Sequence, residues 1–374
     1  MALRITKAQK IVFVVLFTIS AVGIYLLYNP HIPAKLIFSL NEDYQKTQLN
    51  GVDVLINSDI LIEEDKVIRG MEQTKERAAK LFDVANEDKV DIFVSLPGDR
   101  IYDMYLGKGN LGIYHPPIKT VAVDGQYTGD LSSTIIHEYS HHLFYEYIDT
   151  LKVTSGQIPE WLEEGLALTF EYELMDNVLV KYGPMFNAIP FMQLEEIRDV
   201  NSHTIYLQGF YGTMFLLEKY GDSIIRQLIE GTANSSFHVA WAKLIEEPYE
   251  TFHDNFEIQQ SSIRKLESLQ GDHSKVIAYV DSVKEKHGRL NIYTPFTSLA
   301  LIEAYTDMGE LEEAKNTFDM YEPFINNPAE FAELAIVFKG DPSFSEMLMN
   351  KGLNYALHYG YDTKEYEAYL QSVQ

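Results

Sequence analysis

Residues 137 to 141 read His-Glu-Tyr-Ser-His, and this pentad constrains the chain more than any other segment. An α-helix turns once in about 3.6 residues, so imidazoles four positions apart project from the same face. A divalent metal can bridge His137 and His141 only if the segment is helical, and Glu138 then stands ready to handle a proton on water held by that metal. The flanking residues agree with a buried helix. Leu131, Ile135, Ile136, Leu143, Phe144 and Tyr147 are apolar, and Asp130 occupies the N-cap position of a helix that starts at Leu131. Two imidazoles inside such a helix need partners. His142 is rotated about 100° away from its neighbour, which assigns it to a supporting or solvent-facing position rather than to the metal.

A hydrolytic metal site keeps three protein ligands and leaves one position open. The third ligand is expected from a second helix, in the segment Pro159-Glu160-Trp161-Leu162-Glu163-Glu164-Gly165. Pro159 suits the first turn of a helix, and Glu160 there complements the helix macrodipole. Glu164 is flanked by Trp161, Leu162, Leu166, Ala167 and Leu168, an apolar setting in which a carboxylate requires a cation. Glu163 is the alternative ligand. Gly165 is expected to let this helix approach the His137 helix closely. Glu171, two turns on, is a candidate hydrogen-bond partner for a ligating imidazole.

HExxH followed by Trp-Leu-x-Glu-Gly-x-Ala resembles the gluzincin zinc metallopeptidases. The match is to the catalytic core of aminopeptidase N-like enzymes and to bacterial peptidase MA-like domains, over roughly residues 85 to 225. The resemblance implies one zinc ion held by His137, His141 and Glu164, with Glu138 as general base. It also implies a tyrosine that stabilises the tetrahedral intermediate. Tyr206-Leu207-Gln208-Gly209 is similar to the family's Tyr-x-Lys-Gly segment, with Gln in place of Lys, and Tyr211 and His203 are rivals for that donor role. Two departures narrow the expected activity. The Met-Glu-Asn that captures a free amino terminus in the aminopeptidases has no counterpart near Gly109 to Tyr114, so an endopeptidase cleft is expected rather than an aminopeptidase pocket. The thermolysin-type Asn-Glu-x-x-Ser-Asp is absent too.

Residues 11 to 28 form an 18-residue stretch without a charge, preceded by Arg4, Lys7 and Lys10. A helix of that length is about 27 Å long, near the roughly 30 Å hydrocarbon core of a bilayer. The run exceeds a usual signal-peptide core, and bulky Ile24 to Tyr28 stand where small residues precede cleavage. An uncleaved single-pass anchor follows. Residues 1–10 then lie in the cytoplasm and the body lies outside it. The formal charge is −25, and without those three basic groups the remainder carries −28, which disfavours nucleic acid and anionic membrane surfaces as partners. The chain has no cysteine, which excludes disulfides, thiolate catalysis and a zinc ribbon, and agrees with a bacterial exported protein.

The expected fold class is α+β: a zincin-like core of a small mixed sheet plus a helical subdomain, followed by an all-helical C-terminal part. A linker spans 29–44. Residues 45–130 hold the sheet-bearing half, with strands at Val52–Ile56, Val90–Leu96 and Thr120–Val123 and a helix at Glu63–Val84. The last strand before the motif is expected to pair with an extended substrate. Residues 131–266 form the helical half with HExxH and the third ligand. In 271–374, Ser298–Tyr305 and Glu312–Tyr321 around Met308-Gly309-Glu310-Leu311 resemble one tetratricopeptide-like unit, the alternative being a plain helical domain. A partner-docking role for this part is an expectation of the first alternative.

The functional expectation is a membrane-anchored, extracytoplasmic zinc metallopeptidase with a peptide or protein substrate. Two other readings stay open. One is a zinc hydrolase of a non-protein amide such as a wall peptide, and the other is a catalytically silent binding protein acting through the C-terminal helices.

Overall fold

The structure is a computed structural model, and it describes residues 44–82, 89–99, 102–106, 109–126, 131–173, 188–196, 202–269, 271–287, 295–322, 325 and 328–373. The expected anchor at 11–28, its cytoplasmic flank, nearly all of the linker and the Asp130 cap lie outside these residues. Among the described residues, no helix is long and apolar enough to cross a membrane.

The fold is mixed α+β, with a five-stranded sheet in the order β1-β2-β3-β5-β4 and a larger set of helices. The strands are β1 (Tyr44–Leu49), β2 (Val52–Asn57), β3 (Asp91–Ser95), β4 (Gly112–His115) and β5 (Thr120–Asp124). β2, β3 and β5 run parallel, and the outer strands are antiparallel to their neighbours. In β2, buried Val52, Val54 and Ile56 alternate with half-buried residues, as a strand with one covered face requires. β3 is buried at every position, which suits the centre of the sheet.

The expected strands are present, but two others are not in the expectation. β1 (Tyr-Gln-Lys-Thr-Gln-Leu) is too polar for a hydrophobic pattern to reveal, because it is an edge strand. Its signal is the two-residue turn Asn50-Gly51, with φ of 49° and 79°, the positive values that a tight hairpin turn demands. β4 is four residues long and closes the other edge. This corrects the substrate-pairing expectation for Thr120–Val123. β5 is hydrogen-bonded on both sides, to β3 and β4, so its backbone groups are not open to a peptide.

The described residues group into two compact units. One takes in the sheet, from the residues up to Glu64 and from Lys89 to Ile135; the other takes in Asp65–Asp88 and Ile136–Gln374. Helices α1 (Glu64–Phe82) and α2 (Leu131–Thr150) lie for most of their length in the second unit, where Phe82 of α1 stacks on Tyr147 of α2, ring centroids 4.8 Å apart. Helix α3 (Glu160–Glu173) is preceded by a 3₁₀ turn, where Thr154 N–H donates to Gln157 Oε1 at 2.9 Å. A short helix α4 (Phe191–Leu194) leads to α5 (Ser202–Tyr220), α6 (Ser223–Thr232), α7 (Phe237–Ile245) and α8 (Tyr249–Ser268). Trp161, Phe191, Trp241, Tyr249 and Phe252 form an aromatic core among these helices.

The C-terminal helices are α9 (His273–His287), α10 (Pro295–Asp307), α11 (Leu311–Tyr321), α12 (Pro328–Val337), α13 (Pro342–Tyr359) and α14 (Lys364–Val373). The expected hairpin is α10–α11, turning at Gly309 (φ 78°), and a second one, α12–α13, follows. One apolar cluster from Leu266 to Tyr366 serves them all. They also hold α1 directly. Tyr359 Oη donates to Glu76 Oε2 at 2.6 Å, and the Arg69 guanidinium lies 5.0 Å from the Tyr361 ring centroid.

Candidate metal centre

His137, Glu138 and His141 lie in the middle of α2, and all three are buried. Their helix is buried on nearly every side, Tyr139, Leu143, Phe144, Tyr147 and Ile148 as well as Ser133, Ser140 and His142, so it has little amphipathic contrast. Glu164 lies one turn into α3 and reaches the same point. His137 Nε2 is 3.3 Å from Glu164 Oε2, His141 Nε2 is 3.5 Å from it, and the two Nε2 atoms are 3.3 Å apart. These three residues form a group that can hold a metal ion.

The triangle itself tests the fit. Ligands about 2.1 Å from a tetrahedral ion stand about 3.4 Å from each other, because the edge of a tetrahedron is about 1.63 times its centre-to-corner distance. The three edges of the triangle are within about 0.1 Å of that value. Glu164 Oε2 is also buried without a hydrogen bond of good geometry, although both imidazoles face it. A buried carboxylate oxygen in that state needs a partner, and an ion held by the three residues would supply one.

Glu163, the rival ligand, has a different place. Its Oε1 is 3.5 Å from His141 Nδ1, the nitrogen that faces away from the triangle. A carboxylate there fixes the tautomer and ring orientation of a ligating histidine. Tyr145, one turn after His141 on α2, hydrogen-bonds Glu163, and burial followed by the charge of Glu163 pushes its pKa up. The His141–Glu163–Tyr145 linkage is absent from the sequence-based expectation, although the four-residue spacing of His141 and Tyr145 was visible.

Other expected residues fall as follows. Tyr206 is on α5 with its ring 6.1 Å from that of His137, partly exposed, and its pKa is raised by burial and then by the charges of Glu164, Glu138 and Glu160. It therefore remains a protonated donor at neutral pH. The segment Tyr206–Gly209 lies inside α5 rather than ahead of it. Tyr211 packs beside Phe210, ring centroids 5.4 Å apart. The side chains of His203 and Glu171 lie outside the described residues. His142 is not in solvent: it is 1% exposed and packs near the Tyr139 ring, because α2 is covered on that side as well.

Gly165 corrects an expectation. It does not face α2. A Cβ built there would stand 2.3 Å from the Gly209 carbonyl oxygen and 2.3 Å from Thr213 Oγ1, both on α5. Gly209 is equally tight against the Trp161 carbonyl, at 2.3 Å. The glycine pair lets α3 and α5 touch backbone to backbone, and this contact brings Glu164 and Tyr206 to one place.

In the metal-free protein, burial opposes charge on His141, but Glu164, Glu163 and Glu138 outweigh it and hold its pKa well above 6.5. Burial likewise opposes charge on Glu164, and His141 and His137 hold its pKa well below 4.5. The histidine's contribution to stability is complete below 6.5 and is lost as pH rises through its folded value. The glutamate's contribution is present above 4.5 and is lost only as pH falls through its lowered value. A metal must displace the histidine proton, so its affinity rises with pH. The thermal shift produced by zinc over a chelator control is therefore expected to be small at pH 5.5 and larger at pH 8. An excess of about 1,000 times Kd adds about 4 kcal/mol. A shift independent of pH would remove His141 from the ligand set.

No protein family model matches the chain, and no solved structure matches it. A 130-residue segment is 32% identical to the uncharacterized protein YhcO of Bacillus subtilis strain 168, covering 33% of this chain and 39% of that protein. That similarity carries no activity with it.

Proposed function

We propose that this chain is a membrane-anchored, extracytoplasmic zinc metallopeptidase that cleaves peptide bonds internally. The observation that carries the reading is the His137–His141–Glu164 triangle, whose edges of 3.3, 3.3 and 3.5 Å suit a tetrahedral ion, with Glu138 beside it. Two imidazoles and a carboxylate with a fourth position open are a donor set of catalytic zinc sites. The zincin-like core is the reading of the mixed α+β fold that goes with this donor set. The anchor and the location outside the cytoplasm rest on residues 1–28 of the sequence.

When bound, zinc supplies Lewis acidity toward water and the scissile carbonyl. Glu138 takes one proton from the attacking water and delivers it to the departing amine, so the amide is hydrolysed to a carboxylic acid and an amine with protons in balance. Tyr206 Oη donates a hydrogen bond to the carbonyl oxygen as negative charge develops on it. Glu163 holds His141 through Nδ1, backed by Tyr145.

The test is metal quantification of the purified protein together with digestion of a mixed peptide library. One zinc per chain and internal cleavage sites are expected. Zinc without peptide cleavage, but with release of amine from wall peptides, would move the substrate to the non-protein amide class. Absence of zinc would leave the silent binding protein.

A further inference from the structure

A cavity of about 480 Å³ lies in the helical unit, with Ile158, Pro159, Glu160, Glu195, Phe237 and His238 among the residues that line it. Glu160 precedes Glu164 by four residues on α3, so the two carboxylates share one helix face, about 6 Å apart at their Cβ atoms. Glu160 also contributes to the electrostatic environment of Tyr206. One residue of the cavity wall, Glu160, is therefore one helical turn from Glu164 of the metal group.

Its wall is fixed by hydrogen bonds. Trp161 Nε1–H donates to Tyr249 Oη at 2.7 Å, and Tyr249 Oη donates to Glu195 Oε1 at 3.0 Å. Glu195 Oε2 faces His238 Nε2 at 3.3 Å. Trp161 and Tyr249 belong to the aromatic core, so Glu195 is held by rigid groups rather than by a loop. Two carboxylates line the cavity, and no lysine or arginine does. Ile158, Pro159 and Phe237 supply apolar wall. A lysine or arginine side chain has matching parts, an apolar stem and a cationic head.

We infer that this cavity is a specificity pocket, receiving a lysine or arginine side chain of the substrate with Glu195 and Glu160 facing its charge. The inference rests on the peptidase reading, and its test separates the two. Blocked tripeptides Ala-Lys-Ala, Ala-Leu-Ala and Ala-Glu-Ala are titrated into the full chain after chelation of metal, so binding is read without turnover. The lysine peptide is expected to bind at least about tenfold more tightly than the other two. Glu195→Gln, which keeps an acceptor for Tyr249, is expected to erase that preference, with an unchanged melting temperature and zinc content. Glu160→Gln, placed on the opposite helix, is expected to weaken it in part. Equal affinity for the three peptides, or a lysine preference that survives both substitutions, would overturn the pocket. A lysine preference in binding without zinc-dependent cleavage of any peptide would sink the peptidase reading and leave the pocket standing.

Discussion

Glu138→Gln is expected to retain one zinc per chain and to lower turnover by roughly 10²–10⁴-fold, the range for removal of a general base. The amide has nearly the same shape, and the three donor atoms belong to His137, His141 and Glu164, so metal content should not change. Glu164→Ala makes the complementary case. It removes one corner of the triangle and leaves two imidazoles 3.3 Å apart with no carboxylate between them. Zinc affinity should fall by more than the roughly 10–100-fold typical of losing a group behind a ligand, whereas Glu163→Gln should stay within that range. Activity measured with metal content on the same samples checks all three. Unchanged turnover in Glu138→Gln would falsify the assigned mechanism.

Gly165→Ala and Gly209→Ala are expected to separate α3 from α5. Each new methyl meets a backbone carbonyl oxygen at 2.3 Å, and neither carbonyl can rotate away inside a helix. Overpacking of this kind costs on the order of 1–3 kcal/mol or more, which lowers the melting temperature by roughly 5 °C. The functional loss should exceed the loss of stability. Moving α3 against α5 shifts Glu164 and Tyr206 together, and a displacement of about 1 Å in such a site costs about 10²-fold in rate. Gly340→Ala serves as the control, because a Cβ there meets nothing within 4 Å. Scanning calorimetry and zinc titration of the three variants decide the matter. Wild-type zinc affinity in Gly165→Ala would show that the glycine contact does not position the ligand.

The sheet illustrates how legibility depends on burial. β2, β3 and β5 could be read because buried strands carry Val and Ile runs. β1 and β4, on the edges, have little apolar surface to cover, and only the Asn50-Gly51 turn announced β1. The C-terminal hairpin around Gly309 was legible for the opposite reason, since short-range helical periodicity and a turn glycine define it without distant partners.

What the sequence determined alone is the part of the site that depends on helical repeat. His137, Glu138 and His141 share one helix, so their relation follows from about 3.6 residues per turn and needs no other segment. The tertiary structure decided the rest of the centre. Glu163 and Glu164 differ by about 100° around α3, and which one reaches the two Nε2 atoms depends on how that helix is rotated against its neighbours. The contact of Gly165 and Gly209 sets that rotation on α5, sending Glu164 Oε2 between the imidazoles and Glu163 to the far nitrogen of His141. Local spacing specifies a face, and only packing across helices specifies what that face meets.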